Sequence, residues 1–351
     1  MIIKTRYTLA SFLKVFFLVS ISILMVFFFI EILENMKDAV KHGGGFSAVT
    51  AFYRLPSIFV EVSPVLTFLS GMFLLGEMIK YGEVRILEIS GIKPVKILIV
   101  LFFCGFVVSA LSFYVKNFTA PVFLKRLNST SETQKIVNFS TPRYLLYSEK
   151  FTSPGTFEEI QVSEIRPDGG IITVNAEKAR YLGENMWTFT NGKIWSFDRD
   201  GGLESSKEFE NMTLGIMLEP ELIMDTSKNI DEFSYTELRE LMLKMEKLKI
   251  LPVAIRGSFH ERFAYPLLNL FLLFMLFPFF YVKHKISRVF VLGLAVFLSF
   301  ICYGIYSSGL TLAKGGKIPV FFGVWMVHIL ILAGVAVYFF KLSGKPKSDI
   351  M

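Results

Sequence analysis

Hydropathy along this chain follows one order: three long apolar runs, a long polar segment, then three more runs. The first three cover Tyr7–Ile30, Leu55–Leu75 and Ile97–Val115, and the last three cover Phe263–Val282, Val289–Leu312 and Val320–Phe340. Each is near or above the ~20 residues that cross a bilayer as a helix. The segment between the third and fourth runs carries Trp187, Trp195 and an Asn191-Gly192 pair, so it is expected to fold as a domain rather than a loop. The order predicts a polytopic α-helical membrane protein of six transmembrane helices, 3+3, with an inserted antiparallel β domain. The expected boundaries are 1–115, 116–252 and 253–351. A hydrophobic content of 53% and a mean hydropathy of +0.52 agree with that class.

The net charge of +7 is unevenly spread. Lys4 and Arg6 precede the first run, Lys80, Arg85, Lys93 and Lys96 separate the second and third, Lys283, Lys285 and Arg288 separate the fourth and fifth, and Lys341, Lys345 and Lys347 follow the sixth. By the positive-inside rule these regions are cytoplasmic, which puts both termini inside and the insert outside. The segment Glu31–Arg54 mixes both signs and reads as external, as does the Lys314–Lys317 turn. The first run is too long for a signal peptide and lacks a small-residue cleavage site after it, so it is expected to stay as a span. The basic balance then reflects topology and anionic lipid, and no aromatic-and-basic nucleic-acid motif is present.

Inside the insert, Ile172, Val174 and Ala176 alternate with Thr173 and Asn175, and Trp187 and Phe189 with Thr188 and Thr190. Asn191-Gly192 has the residues of a type I′ hairpin turn, and Asp198–Gly202 reads as another turn. Ser234 and Glu237 have capping-box spacing ahead of Leu238, Leu241, Met242 and Met245 on one helical face. Pro56 and Pro64 interrupt the second run, whose end is rich in small residues, Ser70, Gly71 and Gly76, expected to serve helix packing. Gly293, Gly304, Ser307, Ser308 and Gly309 give the fifth run the same character, with packing and a partner contact both open. The piece Glu83–Gly91 is short and periodic, and reads as a helix along the membrane face, with Gly91 as its stop and Pro94 opening the next.

Catalytic chemistry is hard to place. There is no P-loop and no H-E-x-x-H, and the four histidines are scattered. Cys104 and Cys302 sit within apolar runs and read as packing residues. No cofactor or metal is implied. What remains is charge at the external face: Lys37 and Lys41 one turn apart, Arg54 at the start of the second run, and Lys314 and Lys317 between the last two. Such a set suits phosphate-bearing headgroups, whose charge-assisted bonds are short and strong, against the plainer reading of snorkelling anchors. Glu61 and Lys14 lie at membrane depth.

Several segments resemble, in order, the lipopolysaccharide-export permeases LptF and LptG. The 3+3 order with an external β domain is their layout. Leu55-Pro56 with Pro64 is similar to their second span, and Glu83, Ser90 and Gly91 to the ends of their coupling helix. Ala176, Ala179, Tyr181, Trp187 and Asn191-Gly192 are similar to their β-domain pattern, and Ser234, Glu237, Leu238, His260, Arg262, Ala264 and Pro266 to their return into the fourth span. The exit Ile30–Lys37 is closer to LptG. Ser258 and Glu261 depart from the pattern, which has an acidic and a basic residue there. The resemblance implies a permease subunit of an ABC transporter in the bacterial inner membrane that extracts lipopolysaccharide and passes it to a periplasmic bridge. It implies a paralogous permease, a separate ABC ATPase subunit and a single-pass accessory protein as partners, and no enzyme activity in this chain. It further implies a jellyroll-like β domain, a lipid cavity with Phe27, Phe28 and Phe29 on acyl chains and Lys37 and Lys41 on phosphates, and ATPase coupling through Glu83, Arg85, Glu88, Ser90 and Gly91. A scaffold or mechanotransmitter without a lipid path would share the topology.

Overall fold

In the computed structural model the described residues are 2–42, 48–90, 95–129, 137–153, 155–227, 229–281 and 287–343. They form a helical unit, Met1–Leu127 with Gly257–Met351, and a β unit, Asn128–Arg256.

The helical unit contains α1 (Ile2–His42), α2 (Ala48–Lys80), the short α3 (Glu83–Ile89), α4 (Val95–Tyr114), which continues through a π-helical turn, Val115–Thr119, into α5 (Ala120–Ser129), then α8 (Val253–Phe274), α9 (Arg288–Lys314) and α10 (Val320–Ser343). Among the described residues six stretches are long and apolar enough to cross a membrane. Three outrun the apolar runs that announced them. Helix α2 begins before Arg54, the third span continues past Lys116, and α8 starts ahead of Glu261 and Arg262. Helix α2 packs on α1, α4 and α9. Around it Phe12, Leu66, Phe68, Met72, Leu98, Leu101 and Leu273 form the core. The small residues of α2 serve this packing: a Cβ on Gly71 would meet Leu273 of α8 and Leu276 in the turn after it, both at 2.8 Å, and one on Gly76 would meet Val291 of α9 at 3.4 Å. Helix α9 divides, since Gly309 abuts the Gly323 backbone of α10 whereas Gly293 and Gly304 face open space.

The prolines do not interrupt α2, which is continuous through Pro56 and Pro64. A proline leaves the carbonyl four residues earlier without its donor, and in lipid that group must be satisfied from within the protein. For Pro64 the freed carbonyl is Val60, and the Ser63 hydroxyl donates to it at 3.0 Å. For Pro266 of α8 it is Arg262, and the Asn117 amide lies 3.5 Å from that oxygen. The π turn carries Asn117 there. In this turn the Ala120 N–H bonds Val115 instead of Lys116, and the released Lys116 carbonyl accepts from the Arg262 guanidinium at 3.0 Å. Asn269 completes the repair: it accepts from Thr67 at 2.8 Å and donates to the Pro266 carbonyl at 2.8 Å and to Ser63 at 3.2 Å.

The β unit is an antiparallel sheet of β1 (Val137–Ser140), β2 (Tyr144–Ser153), β3 (Thr156–Ile165), β4 (Ile171–Gly183), β5 (Met186–Phe197) and β6 (Leu203–Gly215), followed by α6 (Pro220–Ser227) and α7 (Tyr235–Lys247). Its strand order is sequential, so the likeness to a jellyroll lies in an antiparallel sheet with an apolar face and not in Greek-key connections. Phe157, Ile160, Val174, Ala176, Trp187 and Phe189 are buried on that face. The α7 capping box between Ser234 and Glu237 is formed, and Leu238, Leu241 and Met245 are buried.

The Asn191-Gly192 expectation needs correction. The pair lies within β5, and the β4–β5 turn is made by Glu184 and Asn185, both with positive φ (49° and 63°). Asn191 instead joins a break that crosses the sheet. Ladder pairs run Ser148–Ile160–Ala176–Gly192–Phe209 on one side of it and Lys150–Glu158–Lys178–Thr190–Asn211 on the other. Glu149, Glu159, Glu177, Asn191 and Glu210 fall between and are exposed. Glu159 and Asn191 take positive φ (48° and 49°). The extra residue per strand returns the next apolar side chain to the core face, as with Phe157 and Ile160. Gly192 is required there, since a Cβ would lie 2.3 Å from the Asn175 carbonyl. The other expected turn, Asp198–Gly202, is present, with the Asp198 N–H donating to the Gly202 carbonyl at 2.9 Å.

Candidate functional site

Helix α1 supplies an apolar face that no other part of the helical unit covers among the described residues. Phe17, Leu18, Ile21, Met25, Val26, Phe29, Leu33 and Met36 are exposed along it. Phe27 is exposed and Phe28 partly buried beside Phe29. A fully apolar, unpacked helix face is stable only against lipid or an apolar partner. Lys37 follows this face, is exposed, and has no ion pair among the described residues. The Lys41 side chain lies outside the described residues.

The other expected cations are brought to the same end of the bundle, but two arrive paired. Arg54 of α2 donates to Glu31 of α1 at 2.8 Å. Lys314, the last residue of α9, meets Glu261 of α8 at 2.7 Å, and Glu261 also holds Lys116 at 2.8 Å. The Tyr265 hydroxyl, one turn beyond Glu261, donates to the Glu61 carbonyl, two turns beyond Arg54, which ties α8 to α2 below both ion pairs. Lys116 additionally lies over the Tyr265 ring, 4.9 Å from its centroid. Lys317 is exposed, without an ion pair among the described residues. The carboxylates Glu31 and Glu261 were not legible as site residues. Their partners are 23 and 53 residues away in sequence, and no local spacing joins them.

The short helix α3 shows Arg85, Ile86 and Ile89 on its outer face while Val84 packs on the core. Glu83 begins it and accepts a long contact, 3.5 Å, from Tyr7 of α1. The Ser90 hydroxyl bonds back to the Ile86 carbonyl at 2.7 Å. The Glu88 side chain and Gly91 lie outside the described residues.

The apolar face of the β unit is filled around Trp187, which is 2% exposed and whose indole N–H donates to the Leu218 carbonyl at 2.9 Å. Toward the far end of the strands apolar groups are open, with Ile165, Ile171 and Leu203 exposed. Beside the sheet break an open cavity of about 610 Å³ is lined by Glu159, Glu177, Asn191, Trp195, Glu208 and Glu210. Its acidic rim makes it a poor seat for acyl chains. Burial pushes the Tyr144 phenol above its ordinary range, with Glu164 adding to the shift, so it stays a neutral donor to Glu164 at 3.1 Å.

Long apolar helices, an exposed lipid-compatible face beside cations, a short helix between two spans and an inserted sheet define a polytopic membrane protein with an inserted β domain. Residues 6–341 match the family model described as lipopolysaccharide export system permease LptF/LptG. The match spans nearly the whole chain, and the chain belongs to this family. Membership makes it a permease of an ABC transport system that works with partner subunits, a multi-pass protein of the inner membrane. The family description covers both paralogues together. No curated protein matches the chain.

Proposed function

We propose that this chain is one of two paralogous permeases that lift lipopolysaccharide out of the inner membrane and deliver it to a periplasmic bridge. The observation that carries this reading is the uncovered apolar face of α1 running directly into Lys37. Acyl chains lie along Phe27, Phe28 and their neighbours, and headgroup phosphates meet Lys37 and Lys41, with Arg54, Lys314 and Lys317 at the same end. Both termini are cytoplasmic and the β unit is periplasmic in this reading, which the excess of Lys and Arg in the inner loops supports.

Each acyl CH₂ that leaves the bilayer costs about 0.8 kcal/mol unless another apolar surface receives it. A multi-chain lipid therefore needs a powered step and a receiving surface. The power comes from a separate ABC ATPase, which engages α3: Ile86 and Ile89 insert into its groove, with Glu83, Arg85, Glu88 and Ser90 as polar contacts and Gly91 as the helix stop. The receiving surface is the β unit, in line with a single-pass accessory protein. ATP-dependent transfer of lipopolysaccharide from proteoliposomes holding the whole complex to an acceptor bridge protein tests the reading. Transfer lost in Ile89→Asp without loss of complex assembly fits it. Full ATPase activity with no lipid transfer under any condition leaves the mechanotransmitter instead.

A further inference from the structure

Lys314 does not reach Glu261 by chance of rotamer. Gly257 and Glu261 are one turn apart on the same face of α8. A Cβ on Gly257 would lie 2.9 Å from the Lys314 Cγ. The missing side chain leaves a groove along which the lysine stem lies, and the carboxylate stands at its end. The two lysines around Glu261 are not equivalent. Lys116 is 13% exposed and also rests on the Tyr265 ring, whereas Lys314 is 33% exposed with Glu261 as its ion-pair partner. An ammonium has three N–H donors, and Glu261 Oε2 takes one of them. Of the pair, Lys314 is therefore the group that an incoming anion can draw away, while Glu261 stays anchored by Lys116.

We propose that Glu261 is the counter-ion against which a phosphate-bearing lipid headgroup exchanges at Lys314, so that it sets how readily the transported lipid is released. This rests on the transport reading above and adds a positioning residue to it. A headgroup phosphate has more charge and more acceptor oxygens than a carboxylate and wins Lys314 while it is present. When the lipid moves on, Glu261 takes the lysine back. A transporter whose cations were all uncountered would hold a polyanionic headgroup too tightly to pass it forward.

The test uses the assembled complex in nanodiscs of zwitterionic phosphatidylcholine, without ATP, and follows binding of labelled lipopolysaccharide as salt is raised. Glu261→Gln is expected to tighten binding about fivefold at low salt, the size of one partly exposed charge pair. The gain is expected to fade at high salt, and ATP-driven release is expected to slow. Removing Glu261 also leaves Lys116 without its carboxylate, which weakens the fold. Gly257→Ala avoids this: it pushes the Lys314 stem out of its groove, keeps Glu261 on Lys116, and is expected to tighten binding in the same direction. Adding Lys314→Met to either variant is expected to remove the gain. Wild-type complex that binds no lipopolysaccharide sinks the transport reading itself. Wild-type binding with no tightening in either variant, whatever their melting temperatures, overturns the counter-ion role. An equal gain for phosphatidylglycerol doped into the same discs overturns the assignment to the transported lipid.

Discussion

The helical unit and the β unit both break their regular backbone, and they treat the breaks oppositely. In the helices side chains meet three of the freed carbonyls. Ser63 serves the carbonyl freed by Pro64, Asn117 approaches the one freed by Pro266, and Arg262 takes the one freed by the π turn. In the sheet a row of residues from Glu149 to Glu210 falls out of the ladder and remains exposed. The difference follows from solvent. Water satisfies a freed carbonyl at the sheet surface, but the bilayer interior offers no substitute. Irregularity in the helices therefore consumes polar side chains, and those side chains in turn pin the second, third and fourth spans together.

The sharpest way to break this comparison is Asn269→Leu. It removes the acceptor for Thr67 and the donor for both Ser63 and the Pro266 carbonyl. A loss of about 2–3 kcal/mol is expected, read as a lowered melting temperature of the detergent-solubilised chain. A smaller effect follows from Ser63→Ala, about 1 kcal/mol, because the Val60 carbonyl is left bare. Adding Pro64→Ala restores a backbone N–H for that carbonyl and is expected to recover most of the loss. A double variant less stable than Ser63→Ala contradicts the repair logic. The smallest effect belongs to the sheet. Asn191→Gly, at a positive-φ position facing water, is expected to stay within about 0.5 kcal/mol of wild type. A cost comparable to that of Asn269→Leu would show that the sheet break is as dependent on its side chains as the helices are.

The same contrast explains what the sequence made legible. Span order was readable because lipid demands long apolar runs. Span ends were not, because Lys116, Glu261 and Arg262 look like stops yet lie within continuing helical segments, satisfying one another between the π turn and α8. The capping box of α7 was readable because its partners are three residues apart. Asn191-Gly192 misled because a break in a sheet and a hairpin turn both need left-handed backbone, and the pair advertises only that need. At the candidate site the cations were visible as a set. Their counter-ions were invisible, since Glu31 and Glu261 meet Arg54 and Lys314 only through the packing of separate helices.

The proposed path of lipopolysaccharide runs along the face of α1. The direct measurement is photo-crosslinking in cells from Phe27 and Lys37, with Phe340 of α10 as an exposed apolar control, in the presence of an active or an inactive ATPase. Lipopolysaccharide adducts at Phe27 and Lys37 that change with ATPase activity, and none at Phe340, are the predicted result. A folded, assembled complex that yields no adduct at either α1 position, or equal adducts at all three regardless of the ATPase, contradicts the account.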